Sequence, residues 1–481
     1  MLFGTLAFLA LASISIALEF YWFLLLPMAM AVTTLALFRL DALLLLIAFL
    51  APLSINLEEF GDFPVAMFLP TEPILFGILI LFVVRSIRGK LVGRDILLHP
   101  ISLVILLQLA WLLITSMTSH DPLVSFKFTV MRSWFLASFY FLGIHLFKKP
   151  KNMYRFIWLY GVGLSLVALY TMYNHSQNGF DHESAHWVMS PFFKDHTSYG
   201  AMLAFFLVLV SGFIFRVGKG ANFKGFMWIL ISVLAMATVL SYTRAAWLSL
   251  VMAMGVLFLA FFRIRFRNVL MLLALIVGGF FAFQQEIIQE LERNNQDAKG
   301  GLSEHVASIT NISTDASNLE RLNRWASAVR LFKERPVFGW GPGTYQFVYA
   351  PYQKPHEKTI ISTNAGDVGN AHSEYIGPLA EQGFFGAFLM LALVFMVIRL
   401  GLKLYVDLED REFRVLSLVL TMALTTYFVH GFLNNFLDTD KAAVPVWGCI
   451  AMLVSMDLYM RKRAIPERKN RFKEYIKKGR Q

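Results

Sequence analysis

Apolar runs of about 17–22 residues recur along almost the whole chain, parted by short connectors. In hydrocarbon every backbone N–H and C=O must be bonded within the protein, so runs of this length fold as spanning α-helices. The expected fold class is therefore all-α, a polytopic integral membrane protein. With 57% hydrophobic and 16% charged residues, neither a soluble core nor disorder fits as the main architecture. The expected spans are 2–18, 20–38, 42–56, 68–85, 97–118, 130–147, 153–173, 197–216, 223–241, 243–262, 267–284, 375–398, 413–432 and 442–460. That makes about fourteen, or about twelve if 42–56, which is short, and 68–85, broken by Pro70 and Pro73, are re-entrant or interfacial. Met1 to Ala17 has no basic leading region and runs into a further apolar segment, which reads as a retained span.

Net charge is +11, but its placement argues against nucleic acid. Arg85, Arg88, Lys148, Lys149, Arg216, Lys224, Arg263, Arg265, Arg399, Arg414 and the tail from Arg461 all fall in connectors on one side. The alternate connectors, such as Asn56–Ala66 and Gly431–Asp440, are acidic or nearly uncharged. By the positive-inside rule both termini are expected in the cytoplasm, and anionic headgroups account for the basic tail. The sole cysteine, Cys449, falls in an expected span and forms no intrachain disulfide.

The exception to the pattern is one polar stretch, Gln284 to Ala371. It divides the chain into a membrane bundle (1–284), a large outward loop (285–371), further spans (372–460) and a basic tail (461–481). Within the loop, Asn294–Ser317 reads as irregular. Ser317-Asn318-Leu319-Glu320 then reads as a capping box that opens an amphipathic helix at about 318–335. Leu322, Trp325, Val329 and Phe332 share one face of it, and Pro336 ends it. That face is expected to lie on the membrane surface or against the bundle.

Candidate chemistry gathers on the outward side. His372 directly precedes a span and titrates near neutral pH, as a general base requires; the bland alternative is a helix-start residue at the headgroups. Glu374 follows it by two. Arg244, in Ser241-Tyr242-Thr243-Arg244-Ala245-Ala246-Trp247, sits at an outward turn between spans. It is either an interfacial anchor or a phosphate clamp, since guanidinium offers paired donors and keeps its charge. Arg321 and Arg324 are neighbours on the amphipathic helix, with a solvated basic surface as the bland reading. His196 opens the eighth span and is expected to join His372. Gly339-Trp340-Gly341-Pro342-Gly343 lacks the context of a phosphate loop and reads as a tight turn. His182-Glu183-Ser184-Ala185-His186 fits the H-E-x-x-H zinc-protease pattern, but Gly179 and Pro191 leave little room for the helix that pattern needs. No metal or other cofactor is expected.

Taken in order, Ser241–Trp247, Arg321-x-x-x-Trp325, Arg335 to Gly343, then His372 with Leu379, Glu381, Gly383 and Gly386, resemble the O-antigen ligase and O-antigen polymerase superfamily. The resemblance covers mainly residues 235–400. It implies a GT-C-like membrane glycosyltransferase of the bacterial inner membrane, with its active site facing the periplasm. It implies an undecaprenyl-pyrophosphate-linked glycan as donor, lipid A–core or a growing glycan as acceptor, and membrane lipid around both. His372, Arg244 and Arg321 match the family's catalytic positions; Arg324, Glu374 and His196 are expected to bind substrate. Many members read Ser-Arg-Gly where this chain has Thr243-Arg244-Ala245, and many have Asn after the His, where here Asn370 precedes it. The non-enzyme rival is a lipid-linked oligosaccharide flippase or another transporter, which should show related halves and charges deep in the bundle.

Overall fold

The computed structural model describes residues 2–19, 23–24, 26–60, 67–89, 91–215, 220–262, 316–359 and 369–461, with positions 264, 267–268, 271, 275 and 362. The span expected at 267–284 falls almost wholly outside these, as do the polar segment before 316 and the tail past Arg461. The described chain is nearly all helix: α1 (Leu2–Ala17), α2 (Leu26–Phe38), α3 (Leu40–Leu50), α4 (Thr71–Arg88), α5 (Pro100–Met117), α6 (Pro122–Phe135), α7 (Pro150–Gln177), α8 (His196–Ser211), α9 (Ala221–Leu240), α10 (Arg244–Phe261), α11 (Ala316–Glu334), α12 (Ile376–Asp407), α13 (Arg411–Leu433) and α14 (Asp440–Ser455). Among the described residues the strands are one short antiparallel pair, Ile55–Asn56 with Phe68–Leu69.

Local chemistry sets the helix ends. Asp121 accepts from Val124 N and Pro122 follows it, so α6 begins eight residues before the expected span at 130 (130 − 122). It continues through a π-helical segment, Leu136–Phe141, into Leu142–Leu146. Asp195 caps α8 and Asp410 caps α13 in the same way. Among the described residues eight helices are long and apolar enough to cross a membrane, as a polytopic membrane protein requires. The α13 and α14 spans are 78% and 83% buried against 28% for α9 and α10, so the former pair forms the centre and the latter faces lipid.

One buried ionic centre joins the two ends of the chain. Asp440 Oδ2 accepts from Ser54 Oγ and Thr71 Oγ1, each at 2.5 Å. Lys441 Nζ donates to the carbonyls of Ala51 (2.7 Å) and Ser54 (2.6 Å) and lies over the Phe68 and Phe193 rings. Residues far apart in sequence are thus clasped where α14 begins.

Candidate functional site

The helix after the long loop sets the geometry. The described part of α11 begins at Ala316, and the side chains of Ser317, Asn318 and Leu319 from the expected capping box lie outside the described residues. Glu320, the last residue of that box, is described. Its carboxylate receives Arg324 Nε (2.9 Å), Thr359 Oγ1 (3.0 Å) and Ser362 Oγ. Burial works against its charge, yet the bonds from Ser362, Arg324 and Thr359 hold this carboxyl below the usual range.

The face of α11 that packs on the protein is the polar one. Leu322 and Val329 are 44% and 39% exposed, whereas Glu320, Asn323, Arg324, Ser327, Ala328 and Leu331 are buried. The reason lies in the chain after the helix, which folds over that polar face and satisfies it. Asn323 meets Gln353, Ser327 and Arg330 donate to the Tyr352 carbonyl, and Tyr345 donates to the Arg324 carbonyl. Trp325 of the apolar face reaches the bundle edge, against Phe432 of α13.

Arg324 carries this construction to His372. Its Nη1 donates to the Asn370 carbonyl at 3.0 Å and stands 3.3 Å from His372 Nε2. A guanidinium can only donate, so Nε2 holds the lone pair and Nδ1 the proton. His372 sits in left-handed backbone (φ 46°), a conformation that costs a non-glycine residue about 1–2 kcal/mol. Asn370 Oδ1 accepts from the His372 amide at 2.9 Å and holds that turn. Gly369 is required beside it, because a Cβ there would lie 1.9 Å from Arg324 Nη1. Burial first, then the charges of Arg324 and Arg321, lower the His372 imidazole to about 4, so it is neutral at pH 7.

The other candidates surround this pair. Arg321 Nε donates to the Leu433 carbonyl at the end of α13 (3.3 Å) and lies within electrostatic range of both His372 and His196. Asp195, beside His196, acts on His372 as well. Arg244 opens α10 directly after Thr243, whose hydroxyl donates to the His196 carbonyl at 2.8 Å. His372, Arg321, Arg324, His196 and the Arg244 turn therefore belong to one rim. Glu374 is placed differently: its Oε1 receives Tyr427 Oη and the amides of Phe436 and Leu437, and its own amide donates to Gly431. It fastens the base of α12 to the α13–α14 connector, two residues from the imidazole.

The glycine stretch closes the loop onto α12. Gly339, Gly341 and Gly343 all have positive φ. The amides of Trp340 and Gly341 donate to the carbonyls of Ala380 and Glu381, and Glu381 Oε1 accepts from the Tyr345 amide. Amides spent in this way cannot cradle a phosphate. Residues Ser184–His186 of H-E-x-x-H form a 3-10 turn, not the α-helix that would align both imidazoles on one metal. Among the described residues no three His, Cys, Asp or Glu side chains converge as metal ligands.

With the rim in view, comparison with known proteins is informative. Residues 228–391 match the family described as O-Antigen ligase. That stretch is the part of the chain similar to O-antigen ligases. Arg244, Arg321, Arg324 and His372 all fall inside it, whereas the Asp440–Lys441 clasp falls outside. An uncharacterized protein of Haemophilus influenzae (strain ATCC 51907 / DSM 11121 / KW20 / Rd) is 24% identical over 197 residues, 41% of this chain and 47% of that protein. The match thus spans about half the length of that relative. Within the matched stretch, sequence reasoning noted Asn370 only as a departure from the family order and gave it no role, and it passed over Gly369. An Asn two residues before the His is the visible signal, since its side chain can close on the backbone two positions on.

Proposed function

We propose that this protein is a membrane glycosyltransferase of the ligase or polymerase type, moving a glycan from a polyprenyl diphosphate donor to an acceptor sugar hydroxyl. The family matched by residues 228–391 supports the class. The observation that carries the chemistry is the neutral His372 held by its Nε2 against Arg324, with Arg321 in electrostatic range.

In this reading Arg324 Nη1 turns from His372 Nε2 to the bound diphosphate, and the acceptor hydroxyl attacks the anomeric carbon and gives its proton to the lone pair so freed. The bond from the anomeric carbon to the diphosphate oxygen breaks, and the diphosphate leaves with the electron pair. Attack opposite the leaving group inverts the centre. Arg321 and Arg244 hold the diphosphate and meet its growing charge, so neither a metal ion nor ATP has a required part. An imidazole near 4 is a weak base. Donor binding strengthens it, because a diphosphate that offsets Arg321 and Arg324 removes two of the influences that lower it. Binding of donor and activation of the base are then coupled. In this reading the rim faces the periplasm from the inner membrane, with both termini cytoplasmic, and the positive-inside pattern of the connectors supports that orientation.

The test is detergent-purified protein mixed with lipid-linked donor and acceptor, without ATP, gradient or added metal, with the elongated glycan read by mass spectrometry. Transfer by the natural protein and none by His372→Ala is the expected result. No transfer by the natural protein, with glycolipid moved across vesicles instead, would favour a carrier.

A further inference from the structure

Arg324 covers the lone pair of His372, and the carboxylate that holds Arg324 there is buried with it. Glu320 and Arg324 lie one turn apart on α11, their side chains 5% and 7% exposed. Such a pair adds little to the stability of a fold, because taking both charges out of water offsets much of their attraction. Its geometry, however, is directional. Glu320 Oε1 accepts from Arg324 Nε at 2.9 Å, which leaves the two Nη groups to face elsewhere.

The guanidinium is confined on its other sides as well. Nη1 reaches the Asn370 carbonyl (3.0 Å) and His372 Nε2 (3.3 Å), and the guanidinium carbon lies 5.5 Å from the centre of the Tyr349 ring. A Cβ on Gly369 would lie within 2.8 Å of Nη1, Cζ and Nη2 alike, so the backbone itself covers that side. Among the described residues Nη2 makes no hydrogen bond, and its protons remain for a ligand.

Glu320 is in turn held still. Its Oε2 accepts from Thr359 Oγ1 (3.0 Å), from Asn323 Nδ2 (3.4 Å) and from Ser362 Oγ. The Thr359 amide donates to Ser362 Oγ and the Ser362 amide to the Thr359 carbonyl, which locks the two hydroxyls into one turn. One carboxylate oxygen tied by three donors fixes where the other stands, and that other oxygen holds Nε.

We propose that Glu320 is a positioning residue of the site: it anchors Arg324 by Nε, so that the Nη groups pass between His372 Nε2 and the oxygens of a bound diphosphate. This role rests on the transferase reading. With Nε fixed the guanidinium turns without leaving the site, and the base stays covered until a diphosphate draws Nη1 away. The role requires an acceptor oxygen at the right place and not a charge. Glu320→Gln keeps the oxygen without the charge, and the Thr359 and Ser362 hydroxyls can accept from its amide. Glu320→Asp keeps the charge but withdraws the oxygen by one methylene, and Glu320→Ala removes both.

The nitrogen NMR resonance of His372 Nε2 reads the contact directly, in histidine-labelled, detergent-purified protein at neutral pH without substrate, and its loss in His372→Ala identifies it. Accepting a hydrogen bond displaces a lone-pair nitrogen from its unbonded position. The natural protein and Glu320→Gln should share the bonded resonance, whereas Glu320→Ala and Glu320→Asp should move to the unbonded one. Inorganic pyrophosphate, its binding followed by broadening of its phosphorus line, should move the natural protein's resonance the same way. In transfer assays Glu320→Ala and Glu320→Asp should lose about 10-fold or more in kcat, the loss expected for a hydrogen bond to a charged group, and Glu320→Gln should recover most of it. Elution as a single species with an unchanged unfolding temperature checks each variant's fold, and Glu320→Asp carries the test should Glu320→Ala not fold. An unmoved resonance or a normal kcat in either folded variant overturns the role, as does a natural resonance that bound pyrophosphate leaves in place. If the resonances move as expected but the natural protein transfers no glycan, the anchoring role stands and the transferase reading falls.

Discussion

Two buried ionic centres among the described residues are built to opposite ends. In the clasp, Lys441 is bonded to two carbonyls and the Ser54 hydroxyl, and Asp440 to two hydroxyls; the two side chains are 4% and 0% exposed. At the rim, Arg324 is held by Glu320 but spends a second donor on the lone pair of an imidazole, and Arg321 donates to a helix-end carbonyl. A centre whose ammonium and one carboxylate oxygen are tied to Ala51, Ser54 and Thr71 holds helices together. A centre that aims donors at a lone pair on a strained backbone holds reactivity, and strain persists where surrounding bonds over-determine it.

The sharpest way to break this contrast is His372→Ala. It should lower turnover by about 10²–10⁴-fold, the usual contribution of a general base, and leave insertion and unfolding temperature unchanged. Near-normal glycan products would remove His372 from the chemistry. Lys441→Ala should do the reverse. Stripping one partner from a buried pair costs about 3–5 kcal/mol, so the unfolding transition in detergent should drop sharply while turnover per folded molecule holds. Lost turnover at full stability would mean that the clasp is part of the site. Arg244→Lys is a finer cut. If paired donors hold the diphosphate, donor KM should rise about 10-fold with the fold intact, and a normal KM would argue for a simple charge.

How much of this was legible follows from what each signal records. Span length depends only on lipid thickness and backbone bonding, so the runs that became α5, α7–α10 and α12–α14 could be read directly. The facing of α11 could not. Hydrophobic periodicity marks Leu322 and Val329 as one apolar face, but it carries no sign that residues 340–359 fold over the polar face. That outcome depends on partners distant in sequence. His372, Arg321 and Arg324 were legible as charges at an outward rim. The link between Arg324 and His372 was not, since it rests on Gly369 and on a left-handed turn held by Asn370. The clasp was invisible for the same reason: Ser54 and Asp440 are 386 positions apart.

The smallest expected effect is also the most specific to the rim, and it comes from pH. An unfolded histidine titrates near 6.5, whereas folded His372 does so at about 4. Between those values the unfolded chain takes up a proton that the folded one refuses, so this group subtracts stability as pH falls below about 6.5 and has no effect above it. Lowering the pH from 7 to 5 should therefore lower the unfolding temperature of the natural protein more than that of His372→Ala, the difference between the two being the part owed to this imidazole. Activity should behave otherwise. The free protein keeps His372 unprotonated down to about pH 4, so kcat/KM should hold through pH 5, whereas kcat should fall at a higher pH if bound diphosphate raises the imidazole by offsetting Arg321 and Arg324. Identical pH profiles for kcat and kcat/KM would uncouple donor binding from the base and leave the two arginines as anchors alone.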